Sequence, residues 1–116
     1  MATSNPTYNG SDGAPIDLAT ARQWAQNFRN AYPNPTEVRA HYFGRDTLDQ
    51  ILAQRDCMGI RVYYAVNSTG KKELLVVGVD QTGNNMLPKS PGLAPGDMLI
   101  MDNSFPCPPI CPPDDI

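Results

Sequence analysis

Residues 58–80 read MGIRVYYAVNSTGKKELLVVGVD, and this stretch predicts a two-stranded β-hairpin on which the rest of the fold depends. Side chains of a β-strand point alternately to its two faces, so the first strand has one apolar face, which we expect to be dry, and one mixed face. The apolar face consists of Ile60, Val62, Tyr64 and Val66, and the mixed face of Arg61, Tyr63 and Ala65. The second strand, residues 74–79, is apolar on both faces, which is typical of a strand covered on both sides. We therefore expect it to be the central strand of the sheet.

The connection between the two strands, residues 67–70, is predicted to be a turn. Its sequence, Asn-Ser-Thr-Gly, consists of residues that favour turns, and Gly70 can adopt a positive φ without steric cost. The hairpin therefore has a local signal for both of its strands and for the turn between them.

An amphipathic helix is predicted before the hairpin, over residues 18–32. Its apolar residues, Trp24 and Phe28 among them, recur at steps of three and four, and polar residues occupy the opposite face. Asp17 is a suitable N-cap, and Pro33 ends the helix because the residue before a proline is pushed out of the α region. We expect the apolar face to pack on the sheet.

Two shorter helices are predicted between this helix and the hairpin. The sequence Asn-Pro-Thr-Glu at residues 34–37 has the pattern of a capping box with proline at the first helical position, and Gly44 suits a left-handed helix end. A further helix begins near Asp46, with Leu48, Ile51 and Leu52 as its apolar side.

The sequence after Asp80 contains eight of the twelve prolines, which excludes long regular elements there. Residues 97–102, Asp-Met-Leu-Ile-Met-Asp, predict a short third strand that pairs with the central strand. The sequence thus indicates an α+β fold, with N-terminal helices packed on a small antiparallel sheet made of hairpin 58–80 and strand 97–102. We expect a flexible arm at residues 1–14, a single domain at residues 15–103 and an extended, proline-rich and cysteine-rich tail at residues 104–116.

The composition is that of a small globular protein. The 116 residues are 41% hydrophobic and 18% charged, and the net charge is −3. Lys and Arg are scattered along the chain, which disfavours nucleic acid as a partner. No run of about 18 apolar residues is present, and the amino terminus has no apolar segment typical of a secretion signal. We expect a soluble cytoplasmic protein that does not bind membranes.

The cysteines and the single histidine have the stoichiometry of a zinc site. Zinc binds four ligands tetrahedrally, and Cys57, Cys107, Cys111 and His41 together form a Cys3His set. In the alternative interpretation, Cys57 is a small buried side chain and His41 lies on a helix surface. Cys107 and Cys111 are then free thiols or form a local disulfide. No other cofactor is indicated, because the sequence has no glycine-rich phosphate-binding motif.

Residues suited to catalysis are few. None of the cysteines lies beside a cluster of basic residues that would lower its pKa. Asp46 and Asp49 are sufficiently explained as helix-capping residues, and residues 80–85 lack the acidic pattern of a calcium-binding EF-hand. The sequence therefore predicts a protein that is not an enzyme.

Two resemblances add to this interpretation. Residues 83–88 and 95–100 resemble the nucleophile segment and the following strand of the LexA and signal-peptidase serine/lysine peptidases. Where that family has its serine, this chain has Asn85, which has no hydroxyl group, so the nucleophile is not carried over. The sequences PIDLATARQW, AHYFGRDTLDQILAQ, GIRVYYAV and LVVGVD together resemble a set of small bacterial proteins. This resemblance implies an intact, natural, single-domain protein and brings no activity, cofactor or site residues with it.

The function hypothesis is a non-enzymatic interaction or assembly module that docks onto a partner protein or onto copies of itself. Short sheets leave edges that invite pairing, and polyproline segments lose little entropy when they bind. The expected interface consists of Tyr63, Leu75, Val77 and Met101 on the sheet, with Phe105 and Ile110 from the tail. The tail could instead fold back over that face. The alternative function is a small zinc-dependent sensor or enzyme that uses the Cys3His set.

Overall fold

The computed structural model of the chain describes residues 7–88 and 99–116. The chain forms two compact units: unit 1 is Met1–Asp12 with Phe43–Asn103, and unit 2 is Gly13–Tyr42 with Ser104–Ile116. The elements are α1 (Leu18–Ala31), β1 (Ala40–Tyr42), α2 (Arg45–Leu52), β2 (Gly59–Val66), β3 (Lys72–Val79), β4 (Ile100–Met101) and β5 (Phe105–Cys107). All pairings between these strands are antiparallel, so the predicted α+β class is confirmed.

Unit 1 is built around the predicted hairpin. β2 and β3 pair along their whole length, from Gly59 opposite Val79 to Val66 opposite Lys72. The side-chain oxygen of Asn67 holds the turn because it accepts hydrogen bonds from the amides of Thr69 at 2.9 Å and Lys71 at 3.0 Å. Gly70 has the positive φ expected of it, +83°.

β3 is the central strand, as predicted, because the sheet order is β2-β3-β4. The described part of the predicted third strand pairs with β3 at Ile100–Met101, and residues 97 and 98 lie outside the described residues. The carboxyl half of β3 is buried on both faces, since consecutive residues point to opposite sides and Val76, Val77 and Val79 are 1%, 2% and 5% exposed.

The cover on the Val76 face comes from α2 and from the chain that follows β3. Ile51 in α2 is fully buried, and Met86 is 6% exposed. Gly78 shares this face, and a side chain there would meet Gln54 Nε2 at 2.9 Å, Cys57 Sγ at 3.0 Å and Met86 Sδ at 3.3 Å. The segment that follows α2 therefore lies directly against the backbone of β3.

Helix α1 has nearly the predicted boundaries, and its predicted packing on the sheet is not confirmed. The Asp17 carboxylate accepts a hydrogen bond from the Thr20 amide at 2.7 Å, and the helix ends at Ala31, two residues before Pro33. No residue of α1 is buried, and Trp24 is 60% exposed. Packing of α1 on the sheet is not confirmed, because α1 belongs to unit 2, and the helix that contacts β2 and β3 is α2.

The helix predicted after Asn34 is wrong. The Asn34 side chain accepts a hydrogen bond from the Thr36 amide at 3.0 Å, and the Glu37 amide donates to the Asn34 carbonyl at 3.0 Å, so the capping signal forms a turn. The chain then extends into β1, which pairs with β5. Gly44 is the N-cap of α2, and its φ of −72° excludes the predicted left-handed helix end.

The extended proline-rich tail is not confirmed either. Residues Phe105–Cys107 form β5, and Cys107 is bonded to Cys111 by a disulfide four residues later. Strand pairing with β1 provides hydrogen bonds and neighbours that a free polyproline segment lacks. The local disulfide was one of the alternatives that the sequence left open.

The close contact at Gly78 gives a stability test. We expect Gly78→Ala to destabilise the protein by about 1–3 kcal/mol, because the new methyl group must displace Gln54 and Cys57. Gly59→Ala is the matched control on the neighbouring strand, since nothing lies within 4 Å of its Cβ position, and it should change stability by less than about 0.5 kcal/mol. Urea unfolding checks both, and equal effects would contradict the close packing of α2 on β3.

Candidate functional site

A row of strongly exposed apolar side chains lies on β2 in unit 1. The residues Ile60, Val62, Tyr64 and Val66, here called the apolar row, are 43%, 46%, 95% and 68% exposed. The sequence predicted that this face of β2 is its dry face, and the structure shows that prediction to be wrong. The cover that buries Val76 on the neighbouring strand leaves the β2 side chains of the same face open.

The strand that carries the apolar row also lies at the edge of its sheet. Among residues 7–88 and 99–116, β2 is an edge strand whose strand partner is β3. The Asn67 amide donates to the Lys71 carbonyl at 2.8 Å, and paired residues in an antiparallel ladder alternate between hydrogen-bonded and non-hydrogen-bonded pairs. The register then directs the N–H and C=O groups of the odd residues of β2 to β3 and those of the apolar row to the outer edge.

The opposite face of β2 is tied to the loop that follows β3. The Arg61 guanidinium donates to the carbonyl of Gly83 at 3.1 Å and to the side-chain oxygen of Asn85, and the Asn85 amide group donates to the Tyr63 hydroxyl. The ring of Tyr8 stacks against this loop, 6.0 Å from the Arg61 guanidinium carbon. Arg61 and Tyr63 of β2 thus bind the loop after β3 on the face of the sheet that includes Val77.

A cavity of about 660 Å³ opens in unit 1 near the start of β2. Its apolar wall is formed by Leu48, Leu52, Met58, Ile60 and Val79, and its polar lining by Tyr8, Asn9, Asp12 and Arg61. Mostly apolar cavities of this size with a few polar groups are typical of sites that bind ligands. Because Ile60 lines the cavity and also belongs to the apolar row, the two form a continuous surface.

Unit 2 holds a second cluster, around the disulfide. Asp115 accepts hydrogen bonds from Arg39 Nε at 3.2 Å and Nη2 at 2.6 Å, and Arg29 lies 3.5 Å from the same carboxylate. The hydrogen bonds from Arg39 lower the pKa of the Asp115 carboxyl group, and the charges of both arginines act in the same direction. Arg39 Nη2 is also 3.7 Å from Cys111 Sγ, so one guanidinium contacts both the carboxylate and the disulfide.

His41 contacts a serine in the same unit. Its Nδ1 lies 2.8 Å from Ser104 Oγ, and both side chains are partly buried. This hydrogen bond links β1 to the residue before β5, which explains it as a support for the pairing of these strands.

The predicted interface residues belong to both units, and those of unit 1 lie on both faces of the sheet. Tyr63, Leu75 and Val77 share a face, but Met101 pairs with Val76 and therefore lies on the opposite face. Phe105 belongs to unit 2, where its ring stacks on Tyr42 with centroids 5.5 Å apart. The tail residue Ile110 also lies in unit 2 and is 55% exposed. Val77 is 2% exposed, so the chain itself covers that part of the predicted surface.

The predicted zinc ligands also belong to both units. Cys107 and Cys111 form a disulfide, which has no thiolate to offer a metal, and Cys57 belongs to unit 1, where its Sγ lies 3.2 Å from the Gly59 carbonyl. In the described part of the chain, Cys107, Cys111 and Asp115 are the set close enough to share a metal ion. The Cys3His zinc site stays a prediction that requires reduction of the disulfide.

Sequence reasoning missed Arg39 and Asp115. Neither residue belongs to a motif, and they lie 76 positions apart, so their contact depends on the pairing of β1 with β5. The sequence signal for this cluster was the pair Cys107 and Cys111, because a disulfide between them restricts the conformation of the residues around it.

We compared the chain with protein-family models, curated proteins and solved structures, and none of these comparisons found a match. The resemblance to small bacterial proteins stays a prediction. In the described residues, no helix combines the length and the apolar character needed to cross a bilayer.

Asp115 gives a pH-dependent prediction. Its pKa is lower in the folded protein than in the unfolded chain, so its carboxylate stabilises unit 2 above about pH 4 and loses this effect as the pH falls through the folded pKa. Asp115→Asn should cost about 1 kcal/mol or less at pH 7, and the difference from the native sequence should be smaller at pH 2.

The readout is urea unfolding followed by the amide NMR signals of unit 2 at both pH values. Asp114→Asn, which changes the neighbouring exposed carboxylate, is the matched control and should have little effect at either pH. An Asp115→Asn effect of equal size at pH 7 and pH 2 would show that the ion pairs are not its cause.

Proposed function

We propose that the protein is a non-enzymatic assembly module that pairs with a second copy of itself along the outer edge of β2. The observation that carries this proposal is the apolar row, whose side chains are exposed on a strand whose own backbone groups also face outward. An edge of this kind is a template for another strand, and natural monomers protect such edges.

The protective features that monomers place on edge strands are lacking in β2. Natural edges carry lysine, proline, inward-pointing charges or bulges. The residues of β2 are Gly-Ile-Arg-Val-Tyr-Tyr-Ala-Val, and the pairing with β3 runs through them without a bulge. Arg61 is the one charged residue of the strand, and its guanidinium is engaged by Gly83 and Asn85 on the other face.

The sequence of β2 is complementary to itself. In an antiparallel pair of two copies related by a two-fold axis at Tyr63, Val62 faces Tyr64 and Ile60 faces Val66. Pairs of an aromatic and a β-branched residue stabilise a sheet, and no like charges oppose each other because Arg61 faces Ala65. Such a two-fold pairing joins the apolar rows of both copies into one surface and uses the same residues twice.

This register also satisfies the open backbone groups. The even residues of β2 direct their N–H and C=O groups outward, and pairing Val62 with Tyr64 and Ile60 with Val66 joins these groups into hydrogen-bonded pairs. The proposal therefore uses the side chains and the backbone of the same four residues. A cytoplasmic location and a protein partner, rather than nucleic acid or a membrane, belong to it as predictions from the sequence.

The test compares two lysine substitutions at apolar sites of equal exposure. Val62 is 46% exposed on the edge strand, and Leu87 is 44% exposed elsewhere in unit 1. By size-exclusion chromatography with light scattering, we expect the native sequence and Leu87→Lys to be dimeric or larger. Val62→Lys should be monomeric, because lysine on an edge strand opposes pairing and the two-fold axis would bring the two introduced charges close together.

Two results would overturn the proposal. One is a native protein that stays monomeric at every concentration measured, and the other is a Val62→Lys variant that associates as well as Leu87→Lys does. Association that appears only after a different protein is added would show that the edge accepts a foreign strand and would also exclude self-assembly.

A further inference from the structure

The disulfide of unit 2 has two chemically different sulfur atoms. Cys107 is 3% exposed at the end of β5, whereas Cys111 is exposed. Arg39 Nη2 lies 3.7 Å from Cys111 Sγ, and a carboxylate oxygen of Asp115 lies 4.0 Å from Cys107 Sγ. A cation therefore contacts the accessible sulfur, while a carboxylate oxygen of Asp115 lies within 4.8 Å of each of the two sulfurs.

The position of Arg39 is fixed by the fold. Its backbone amide donates to the carbonyl of Cys107 at 2.8 Å, directly before the pairing of β1 with β5 begins at Ala40. The Asp115 carboxylate holds the guanidinium from the other side at 2.6 Å. The guanidinium is thus held next to the disulfide by both backbone and side-chain contacts.

This environment controls which thiolate forms when the disulfide is reduced. A neighbouring guanidinium favours the thiolate of a cysteine, while burial and a neighbouring carboxylate favour the protonated thiol. We propose that Cys107 and Cys111 form a thiol–disulfide exchange site in which Cys111 is the reacting sulfur and Arg39 stabilises its thiolate. This role does not depend on the assembly proposed for β2.

The reaction partner is a low-molecular-weight thiol. Its thiolate attacks Cys111 Sγ, a bond forms between these two sulfurs, and the bond between Cys107 and Cys111 breaks. Cys107 leaves with the electron pair and takes a proton from water, which leaves a mixed disulfide on Cys111. A second external thiolate attacks the external sulfur and releases Cys111 as a thiolate. The protein disulfide gains two electrons, and two external thiols become one external disulfide.

Attack at Cys111 rather than at Cys107 follows from access and charge. An incoming thiolate must approach along the S–S axis, and the burial of Cys107 blocks that approach to its sulfur. The positive charge of Arg39 beside Cys111 Sγ attracts an anionic reagent, although the Asp115 carboxylate partly offsets it.

The first test uses the native sequence. The reduced protein is alkylated with iodoacetamide over a range of pH, and the sites are quantified by peptide mass spectrometry, which separates Cys57 from the other two cysteines. We expect Cys111 to react before Cys107, with a pH midpoint below the ordinary cysteine value of about 8.5. Equal rates at Cys107 and Cys111, or a Cys111 midpoint at or above the ordinary value, would overturn the proposal.

The second test measures the equilibrium with reduced and oxidised glutathione. Arg39→Met removes the charge beside Cys111, and we expect it to shift the equilibrium about three- to tenfold towards the protein disulfide. Arg29→Met is the matched control, because Arg29 pairs with Asp115 and not with the sulfur, and its shift should be smaller. Arg39→Lys should restore most of the native equilibrium.

Equal shifts in the two methionine variants would overturn the role of Arg39. A native protein whose Cys107 and Cys111 stay reduced in excess oxidised glutathione would overturn the site itself. If Arg39→Met does not give a folded amide NMR spectrum, the comparison of Arg39→Lys with the native alkylation profile replaces it, since the lysine variant keeps the charge.

Discussion

The fold of unit 1 depends on one constraint: the carboxyl half of β3 must be kept from water on both faces. Val76 on one face and Val77 on the other are each almost fully buried. The end of α2 covers the first face, and the loop after β3, tied to β2 by Asn85, covers the second. Both of these segments are adjacent to the hairpin in the sequence. They cover β3 but leave the apolar row of β2 exposed to solvent.

The parts of the fold that the sequence predicted well are those with local causes. The turn of the hairpin is fixed by the side chain of Asn67, and the start of α1 by the carboxylate of Asp17, both within a few residues of the backbone groups that they bind. The helix expected after Asn34 failed because its signal was only local. Asn34 does bind the Thr36 amide, but pairing with β5, more than 60 positions away, makes β1 a strand.

The candidate sites were harder to predict than the elements, for a related reason. Alternation showed that β2 has an apolar and a mixed face, and the expectation that the apolar face is dry was wrong, because the cover depends on Arg61 and Asn85 meeting across the sheet. Met101 was expected to lie beside Val77, and the register places it opposite Val76 instead. The surroundings of the disulfide depend on Arg39 and Asp115, which no pattern in the sequence connects. The sequence of a strand shows which residues share a face, whereas the residues that lie next to them are known only from the strand pairing.

The two units thus give the chain two separate chemical features, an open strand edge in unit 1 and a polarised disulfide in unit 2. The central claim concerns the edge, and amide exchange measured residue by residue by NMR at low and high protein concentration tests it most directly. We predict slow exchange of Val77 and Val79 at both concentrations, and fast exchange of Ile60, Val62, Tyr64 and Val66 that slows at high concentration, while the odd residues of β2 stay protected throughout. Exchange of the even residues that does not change with concentration would contradict the account, as would fast exchange of Val77 and Val79.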